Sequence, residues 1–327
     1  MAPSSLLFFS TMIAGTLITL SSSNWLYLWM GMELNLLSFI PLMSNSSNLQ
    51  ETEASVKYFI TQAIGSGLML TTGIMSINPI VFDKMEYIIM IMFISSMMIK
   101  LGMTPYHQWL PHVMSCIPWK MCIILATWQK IGPMIMLVMI MPNNMSSLIM
   151  LLAVSSTMVG GLGGMNQSQL RSLLAYSSIG HMGWMLMTTQ CSTNIFVMYF
   201  TVYIVITCSI MGLLMSENVM KSKVNSLMIN NTSTFIMVML IMFSLGGLPP
   251  LLGFFPKWMI INSLSVQNMM LTAMMLITGS LMNLFYYFNM AFNFMLTTPQ
   301  QPTITNNKWY NIMVTMMATC SPLVLFL

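Results

Sequence analysis

The chain has 327 residues, of which 57% are hydrophobic and only 5% are charged, and its mean hydropathy is +0.80. Soluble domains carry about 25% charged residues, so this composition excludes a soluble globular protein and indicates a polytopic membrane protein. The formal net charge of +4 comes from scattered single charges rather than from a basic patch, which argues against nucleic acid as a partner.

Apolar segments long enough to form membrane helices follow one another along the chain, and about eleven can be counted. Their predicted ranges are 3–21, 24–43, 54–77, 86–116, 119–141, 145–165, 168–190, 194–216, 233–268, 270–296 and 308–327. This pattern predicts a single all-α transmembrane domain over residues 1–327. The fourth and ninth segments are longer than the roughly 20 residues that one straight span needs.

Both of these long segments contain residues that break helices. The fourth contains Gly102-Met103-Thr104-Pro105, and the ninth contains Gly246-Gly247-Leu248-Pro249-Pro250. Proline lacks the amide donor that a helix needs, and glycine permits backbone angles that other residues avoid. A broken helix inside a bilayer is tolerated only where its freed backbone groups are buried in protein or line a cavity. We therefore expect a transport site at the broken helices.

The order of the segments indicates an internal repeat. Residues from about 3 to 141 and from about 145 to 296 each contain five segments, the fourth being the broken one. Five crossings are an odd number, so the second repeat must be inverted in the membrane relative to the first. A C-terminal helix at about 308–327 follows the two repeats.

Basic residues are distributed unevenly between the two sides of this arrangement. Loops after odd-numbered segments carry only Lys84, whereas those after even-numbered segments carry Lys57, Lys120, Arg171, Lys221, Lys223 and Lys308. Loops rich in lysine and arginine stay on the inner side of a membrane. The distribution therefore predicts an inside N-terminus.

Five ionisable residues within apolar segments are candidates for proton transfer, namely Glu33, Lys100, Lys130, His181 and Lys257. A cation at the bilayer centre costs roughly 2.5–3.5 kcal/mol on insertion scales, so it normally faces a partner or a water-filled path. Lys100 lies about 14 residues, and so roughly 20 Å, into its segment. Glu33 lies near the middle of its own segment and is the expected partner of Lys100.

Each candidate also has a structural interpretation. Glu33 and Lys100 could form a static ion pair that helps helices to pack. Lys130 and Lys257 could extend their ammonium groups to the membrane surface. His181 could be a hydrogen-bonded core histidine, although a neutral imidazole that donates and accepts at once also suits a proton shuttle.

Motifs for redox centres and nucleotides do not occur in the sequence. The five cysteines have no C-x-x-C spacing that would hold zinc or an iron–sulfur cluster. The cluster Gly160-Gly161-Leu162-Gly163-Gly164 does not fit G-x-G-x-x-G and follows a membrane segment instead of a strand. There is no Walker motif, so energy for transport must come from a gradient or from a partner.

Six blocks of the sequence resemble, in order, blocks of the antiporter-like membrane subunits of NADH:ubiquinone oxidoreductase, or respiratory complex I, in their mitochondrially encoded form. They are Met30–Asn35, Thr52–Phe59, Lys100–Pro111, Thr127–Lys130, Leu174–Gly183 and Gly246–Trp258. The resemblance covers essentially the whole chain. It implies a core subunit of the membrane arm that translocates protons across the mitochondrial inner membrane, with its N-terminus in the matrix and its C-terminus in the intermembrane space.

The resemblance also implies roles for residues and partners. Glu33, Lys100, Lys130, His181 and Lys257 would form a proton relay driven by electron transfer from NADH to ubiquinone in partner subunits. NADH, FMN, iron–sulfur clusters and ubiquinone would be bound by those partners, and this chain would bind no cofactor. Its neighbours would be other membrane-arm subunits, including antiporter-like ones, and bilayer lipids, with cardiolipin as a candidate. The alternatives are a free-standing cation/proton antiporter and a structural membrane scaffold.

Overall fold

The computed structural model describes residues 3–44, 48–77, 79–140, 145–216 and 232–296. Within these ranges every regular element is helical, and a short 3-10 turn, Thr188–Gln190, follows the ninth α-helix. The α-helices are α1 (Pro3–Ser21), α2 (Trp25–Met43), α3 (Leu49–Ile77), α4 (Pro79–Leu101), α5 (Trp109–Cys116), α6 (Trp119–Ala126), α7 (Trp128–Ile140), α8 (Ser146–Met165), α9 (Leu170–Met187), α10 (Thr193–Ser216), α11 (Thr232–Gly246), α12 (Phe254–Val266) and α13 (Met270–Leu296). The predicted helix at 308–327 and the residues Lys221, Lys223 and Lys308 lie outside the described residues.

The chain divides into two compact units, Met1–Ile140 and Met141–Leu327. In the described residues, α1 to α7 belong to the first unit and α8 to α13 to the second. Seven helical stretches of the described chain are long and apolar enough to cross a membrane. The prediction of an all-helical polytopic membrane protein is therefore confirmed.

The helix boundaries follow the apolar segments closely, with three differences. Helix α3 begins at Leu49 instead of residue 54, because its polar first turns were not counted with the apolar run. Helix α4 begins at Pro79 instead of residue 86, and its backbone leaves the helical region at Met85 (φ −127°, ψ 19°). The fifth segment, predicted as one helix, is interrupted at Thr127 (φ −116°, ψ −68°), which separates α6 from α7.

In the first unit, small residues bring α1 and α2 into close contact. A Cβ atom added to Gly15 would lie 2.9 Å from the backbone of α2, and one added to Gly31 would lie 2.8 Å from the backbone of α1. The hydrophobic effect does not drive helices together within lipid, so van der Waals contacts between closely approaching backbones hold α1 and α2 together. In the same way, Gly65 of α3 leaves room for the stem of Lys100, whose Cγ would lie 3.2 Å from an added Cβ.

In the second unit, the glycine cluster of α8 is a packing surface for two other helices. A Cβ added to Gly160 would lie 2.6 Å from the amide nitrogen of Gly180 in α9. One added to Gly161 would lie 3.0 Å from the carbonyl oxygen of Gly279 in α13. Because backbone atoms cannot move aside as a flexible side chain can, only glycine fits these crossings.

Candidate functional site

The first broken helix ends in a hydrogen-bonded turn centred on Gly102. Gly102 has φ +68°, and its amide donates to the Ile99 carbonyl at 3.2 Å. The amide of Met103 donates to the Met98 carbonyl at 3.0 Å. These two bonds form a Schellman motif, in which a glycine in the left-handed region ends a helix.

The second broken helix ends in the same way. Gly247 has φ +83°, and its amide donates to the Ser244 carbonyl at 3.1 Å. The amide of Leu248 donates to the Phe243 carbonyl at 3.3 Å. In both motifs a proline follows the glycine by three residues, and the peptide before that proline is cis. The pattern Gly-x-x-Pro therefore specifies both ends.

Neutral side chains bind the last carbonyl groups of α4. The indole Nε1 of Trp109 donates to the Ile99 carbonyl at 3.0 Å, and Gln62 Nε2 donates to the Lys100 carbonyl at 3.2 Å. The final carbonyls of a helix lack partners within the helix, so donors of this kind are needed in a buried environment. Since these two side chains act as the caps, the ammonium group of Lys100 does not bind its own helix end.

The ammonium group of Lys100 instead faces α2. Lys100 is only 8% exposed, and its Nζ donates to Met32 Sδ at 3.5 Å, a weak acceptor. Glu33 is the next residue along α2. Its Oε2 atom is buried with no hydrogen-bond partner among the described residues. The structure thus places the ammonium of Lys100 against the thioether of Met32, next to Glu33 in the chain. The predicted pairing of Lys100 with Glu33 stays a prediction.

A small cavity in the first unit joins Lys100 to Lys130. Its lining also includes the polar side chains of Asn35, Gln62 and Gln129, and about 20 Å³ is open to a water-sized molecule. A space of roughly 10–15 Å³ is enough for one water molecule. Lys130 is only 2% exposed, so it lies in the protein interior and does not extend to the membrane surface.

In the second unit, Lys257 binds the end of α11. Its Nζ donates to the Gly246 carbonyl at 2.8 Å and to the Leu245 carbonyl at 3.4 Å, and it lies 5.9 Å from the ring centroid of Trp184. A cation at a helix C-terminus satisfies carbonyls that the helix leaves open and complements the helix dipole. Lys257 is 6% exposed, so its side chain, like that of Lys130, lies in the protein interior and does not extend to the membrane surface.

His181 lies in α9, one turn before Trp184. It is 6% exposed, its Nδ1 is 3.0 Å from the Tyr199 hydroxyl, and its ring centroid is 5.5 Å from that of Tyr203. An imidazole in contact with a hydroxyl can exchange donor and acceptor roles with it. Trp184 therefore has His181 on its own helix and the Lys257 ammonium over its ring.

The five predicted residues thus fall into two groups. Glu33, Lys100 and Lys130 belong to the first unit, and His181 and Lys257 belong to the second. Their proposed roles in proton transfer stay predictions.

The positive residue Arg171, predicted in a loop, is instead 7% exposed in the first turn of α9. A residue in the first turn of a helix still lies beside the loop, so the predicted orientation stays a prediction.

Sequence reasoning missed the hydrogen bonds that surround the cavity of the first unit. Gln129 Nε2 donates to Asn35 Oδ1 at 3.0 Å, and the Tyr58 hydroxyl donates to Gln129 Oε1 at 3.4 Å. The signal was present, because an amide side chain in an apolar segment is costly to bury unless it is hydrogen-bonded. Nothing in the sequence identified Gln129 and Asn35 as partners, since they are 94 residues apart.

Buried lysines beside broken helices, in an all-helical polytopic chain, define a class of membrane proteins that translocate ions. Comparison with known families makes this specific. Residues 22–283 match the family described as NADH:quinone oxidoreductase/Mrp antiporter, TM, and the chain belongs to this family. The resemblance seen in the six sequence blocks is therefore confirmed.

Individual relatives agree with this assignment. The chain is 41% identical over 300 residues to the NADH-ubiquinone oxidoreductase chain 2 of Lumbricus terrestris, covering 91% of this chain and 89% of that protein. It is 39% identical over 303 residues to the protein of the same name from Mus musculus, covering 91% and 87%.

Solved structures share the fold. A chain of respiratory complex I from Thermus thermophilus superimposes with a TM-score of 0.83 at 20% identity, over 96% of this chain and 76% of that one. A chain of the Mrp complex from Dietzia sp. gives a TM-score of 0.76 at 15% identity, over 91% and 61%.

Proposed function

We propose that the chain is a core membrane-arm subunit of a proton-pumping NADH:ubiquinone oxidoreductase in the mitochondrial inner membrane. The identity with NADH-ubiquinone oxidoreductase chain 2 along most of both chains supports this function. In this proposal NADH, FMN, iron–sulfur clusters and ubiquinone are bound by partner subunits, and this chain contributes proton translocation. Its other neighbours are membrane-arm subunits and bilayer lipids, cardiolipin among them.

Protons pass, in this proposal, along a relay of Glu33, Lys100, Lys130, His181 and Lys257. The observation that carries it is the cavity lined by both Lys100 and Lys130, because two buried lysines beside a space that fits a water molecule could exchange a proton through water. A positive charge on one lysine opposes a positive charge on the other. Movement of Glu33 relative to Lys100 would change this balance and so move a proton to or from Lys130.

We further infer eleven membrane helices, arranged as two inverted five-helix repeats at about 3–141 and 145–296 and a C-terminal helix at about 308–327. The fourth segment of each repeat is broken, and the two breaks share one backbone motif, which supports a common origin. The proposed orientation has the N-terminus in the matrix and the C-terminus in the intermembrane space. A cysteine in place of the exposed Lys57 would then react with an impermeant thiol reagent only from the matrix side.

The decisive experiment compares Lys130→Met with Lys57→Met in the assembled enzyme. Loss of an acid–base group typically slows a proton transfer by 10²–10⁴-fold, so we expect Lys130→Met to reduce the proton-pumping rate by at least roughly tenfold. The Lys57 side chain is 53% exposed and pairs with Glu53 at 2.6 Å on the surface of α3. Pumping by Lys57→Met should equal that of the unaltered enzyme.

Three results would overturn the proposal. Unchanged protons per NADH in Lys130→Met would remove Lys130 from the relay. A smaller amount of assembled enzyme with normal pumping per enzyme would indicate a structural scaffold. Cation/proton exchange by the purified chain alone in liposomes would indicate a free-standing antiporter.

A further inference from the structure

We propose that Gln129 is a positioning residue, which holds Lys130 at the cavity that it shares with Lys100. This inference rests on the proposed proton relay and extends it to a residue with no proton to exchange. An amide side chain does not titrate, so Gln129 acts through its hydrogen bonds and not as a proton carrier.

The backbone around Lys130 departs from a regular α-helix on both sides. The helix is interrupted at Thr127, whose hydroxyl donates to the Ile123 carbonyl at 2.7 Å and so turns back towards α6. Pro133 lies inside α7 and has no amide hydrogen, so it cannot donate to the carbonyl of Gln129, four residues earlier. Lys130, whose amide donates to the Thr127 carbonyl at 3.3 Å, therefore lies in a short stretch between the irregular backbone at Thr127 and Pro133.

Contacts with other helices hold this stretch, and they converge on Gln129. Its amide nitrogen donates to Asn35 of α2 at 3.0 Å, and its amide oxygen accepts from the Tyr58 hydroxyl of α3 at 3.4 Å. Asn35 is 6% exposed and Tyr58 is 2% exposed. A buried polar group that loses its partner is costly, so the bond to Asn35 resists rotation of the Gln129 segment, and the longer Tyr58 contact adds a weaker restraint.

The same contacts extend to the helix end that carries Lys100. The ring of Tyr58 lies 5.7 Å from that of Trp109, and Trp109 donates to the Ile99 carbonyl at 3.0 Å. Asn35, Tyr58, Trp109 and Gln129 all line the cavity together with the two lysines. One continuous set of contacts thus fixes the interruption at Thr127, the broken end of α4 and the cavity between them.

The test uses Gln129→Leu in the assembled enzyme, with the rate expressed per assembled complex. We expect proton pumping to fall by about 2- to 10-fold, the factor that one buried hydrogen bond provides. We also expect the pH profile of pumping to shift, because a misplaced Lys130 meets a different environment. Tyr58→Phe keeps the ring contacts but removes one bond, so it should give a smaller change in the same direction.

A double-mutant cycle and a matched control complete the design. If Gln129 and Asn35 act as a pair, adding Asn35→Leu to Gln129→Leu should lower pumping no further. Gln267→Leu removes a glutamine that donates to the Gln190 carbonyl at 2.8 Å on an exposed surface of the second unit. It should leave both the pumping rate and the pH profile unchanged.

The outcomes separate this inference from the proposed function. If Gln129→Leu and Tyr58→Phe pump normally while Lys130→Met does not, the positioning role is wrong and the relay stands. If Gln129→Leu lowers only the amount of assembled enzyme, Gln129 is merely structural and the inference is overturned. Normal pumping by Lys130→Met would instead overturn the proposed function itself.

Discussion

Replacement of Gly247 by alanine is expected to destabilise the second unit, because two independent effects coincide at this residue. Its φ of +83° lies in the left-handed region, where a residue with a side chain is strained. An added Cβ would also lie 2.9 Å from Lys257 Nζ and 3.0 Å from its Cδ. The new methyl group would therefore push the lysine away from the carbonyls that it binds at the end of α11.

The magnitude follows from these two effects. The left-handed conformation costs roughly 1–2 kcal/mol for a residue other than glycine. Loss of hydrogen bonds to a charged group adds roughly 1.5–3 kcal/mol, and some of this is recovered if the lysine side chain shifts. We expect Gly247→Ala to lower the free energy of unfolding by about 2–4 kcal/mol.

The adjacent glycine provides the control. An added Cβ on Gly246 would meet Leu284 and Tyr287 at 3.6 Å, which is ordinary van der Waals contact. Gly246→Ala should therefore leave stability unchanged or raise it slightly, since alanine favours a helix over glycine. Unfolding of the purified full-length chain by SDS in mixed micelles would measure both variants. Equal stability of Gly246→Ala and Gly247→Ala would refute this reasoning.

Two further predictions concern the second unit and an open surface of the first. Gly160→Val should separate α8 from α9, because even its Cβ would lie 2.6 Å from the Gly180 backbone. Gly67→Val should be tolerated, since its Cβ would meet no described atom within 4 Å. Comparison of the two variants in the same SDS titration checks this, and equal stability would contradict it. Tyr199→Phe removes the hydroxyl that contacts His181 and should destabilise the chain by about 0.5–1.5 kcal/mol. The same titration measures it, and a more stable variant would show that the contact is unfavourable.

Much of the helical architecture could be predicted because its determinants are local. Apolar length identified the helical stretches, and Gly102 and Gly247, each with a proline three residues later, marked the two breaks. The interruption at Thr127 could not be found in this way, because threonine does not terminate a helix by its own chemistry. The interruption becomes apparent only with Pro133 and the contacts of Gln129, which depend on helices distant in sequence.

For the candidate site, too, the sequence predicted features that depend on local position but not the contacts between helices. The depth of Lys100 and Lys130 within their segments indicated interior positions, and both side chains are buried. For Lys257 the sequence left open whether the ammonium reaches the membrane surface, and the structure buries it. Sequence depth could not reveal what each ammonium group touches. The thioether beside Lys100 and the helix end beneath Lys257 depend on how α2 and α11 pack, and no local pattern encodes that packing.

The unequal capping of the two broken helices has a mechanical consequence. At the end of α4, an indole and an amide occupy the carbonyls, so that terminus keeps its hydrogen bonds whatever charge Lys100 carries. At the end of α11 the cation itself supplies the bonds, and loss of its proton weakens them. The protonation of Lys257 is therefore linked to the order of the backbone at the end of α11. The protonation of Lys100 is not linked in this way to the backbone at the end of α4. If both lysines change charge as the proposed relay requires, the end of α4 should keep its hydrogen bonds, whereas the end of α11 should become less ordered when Lys257 loses its proton.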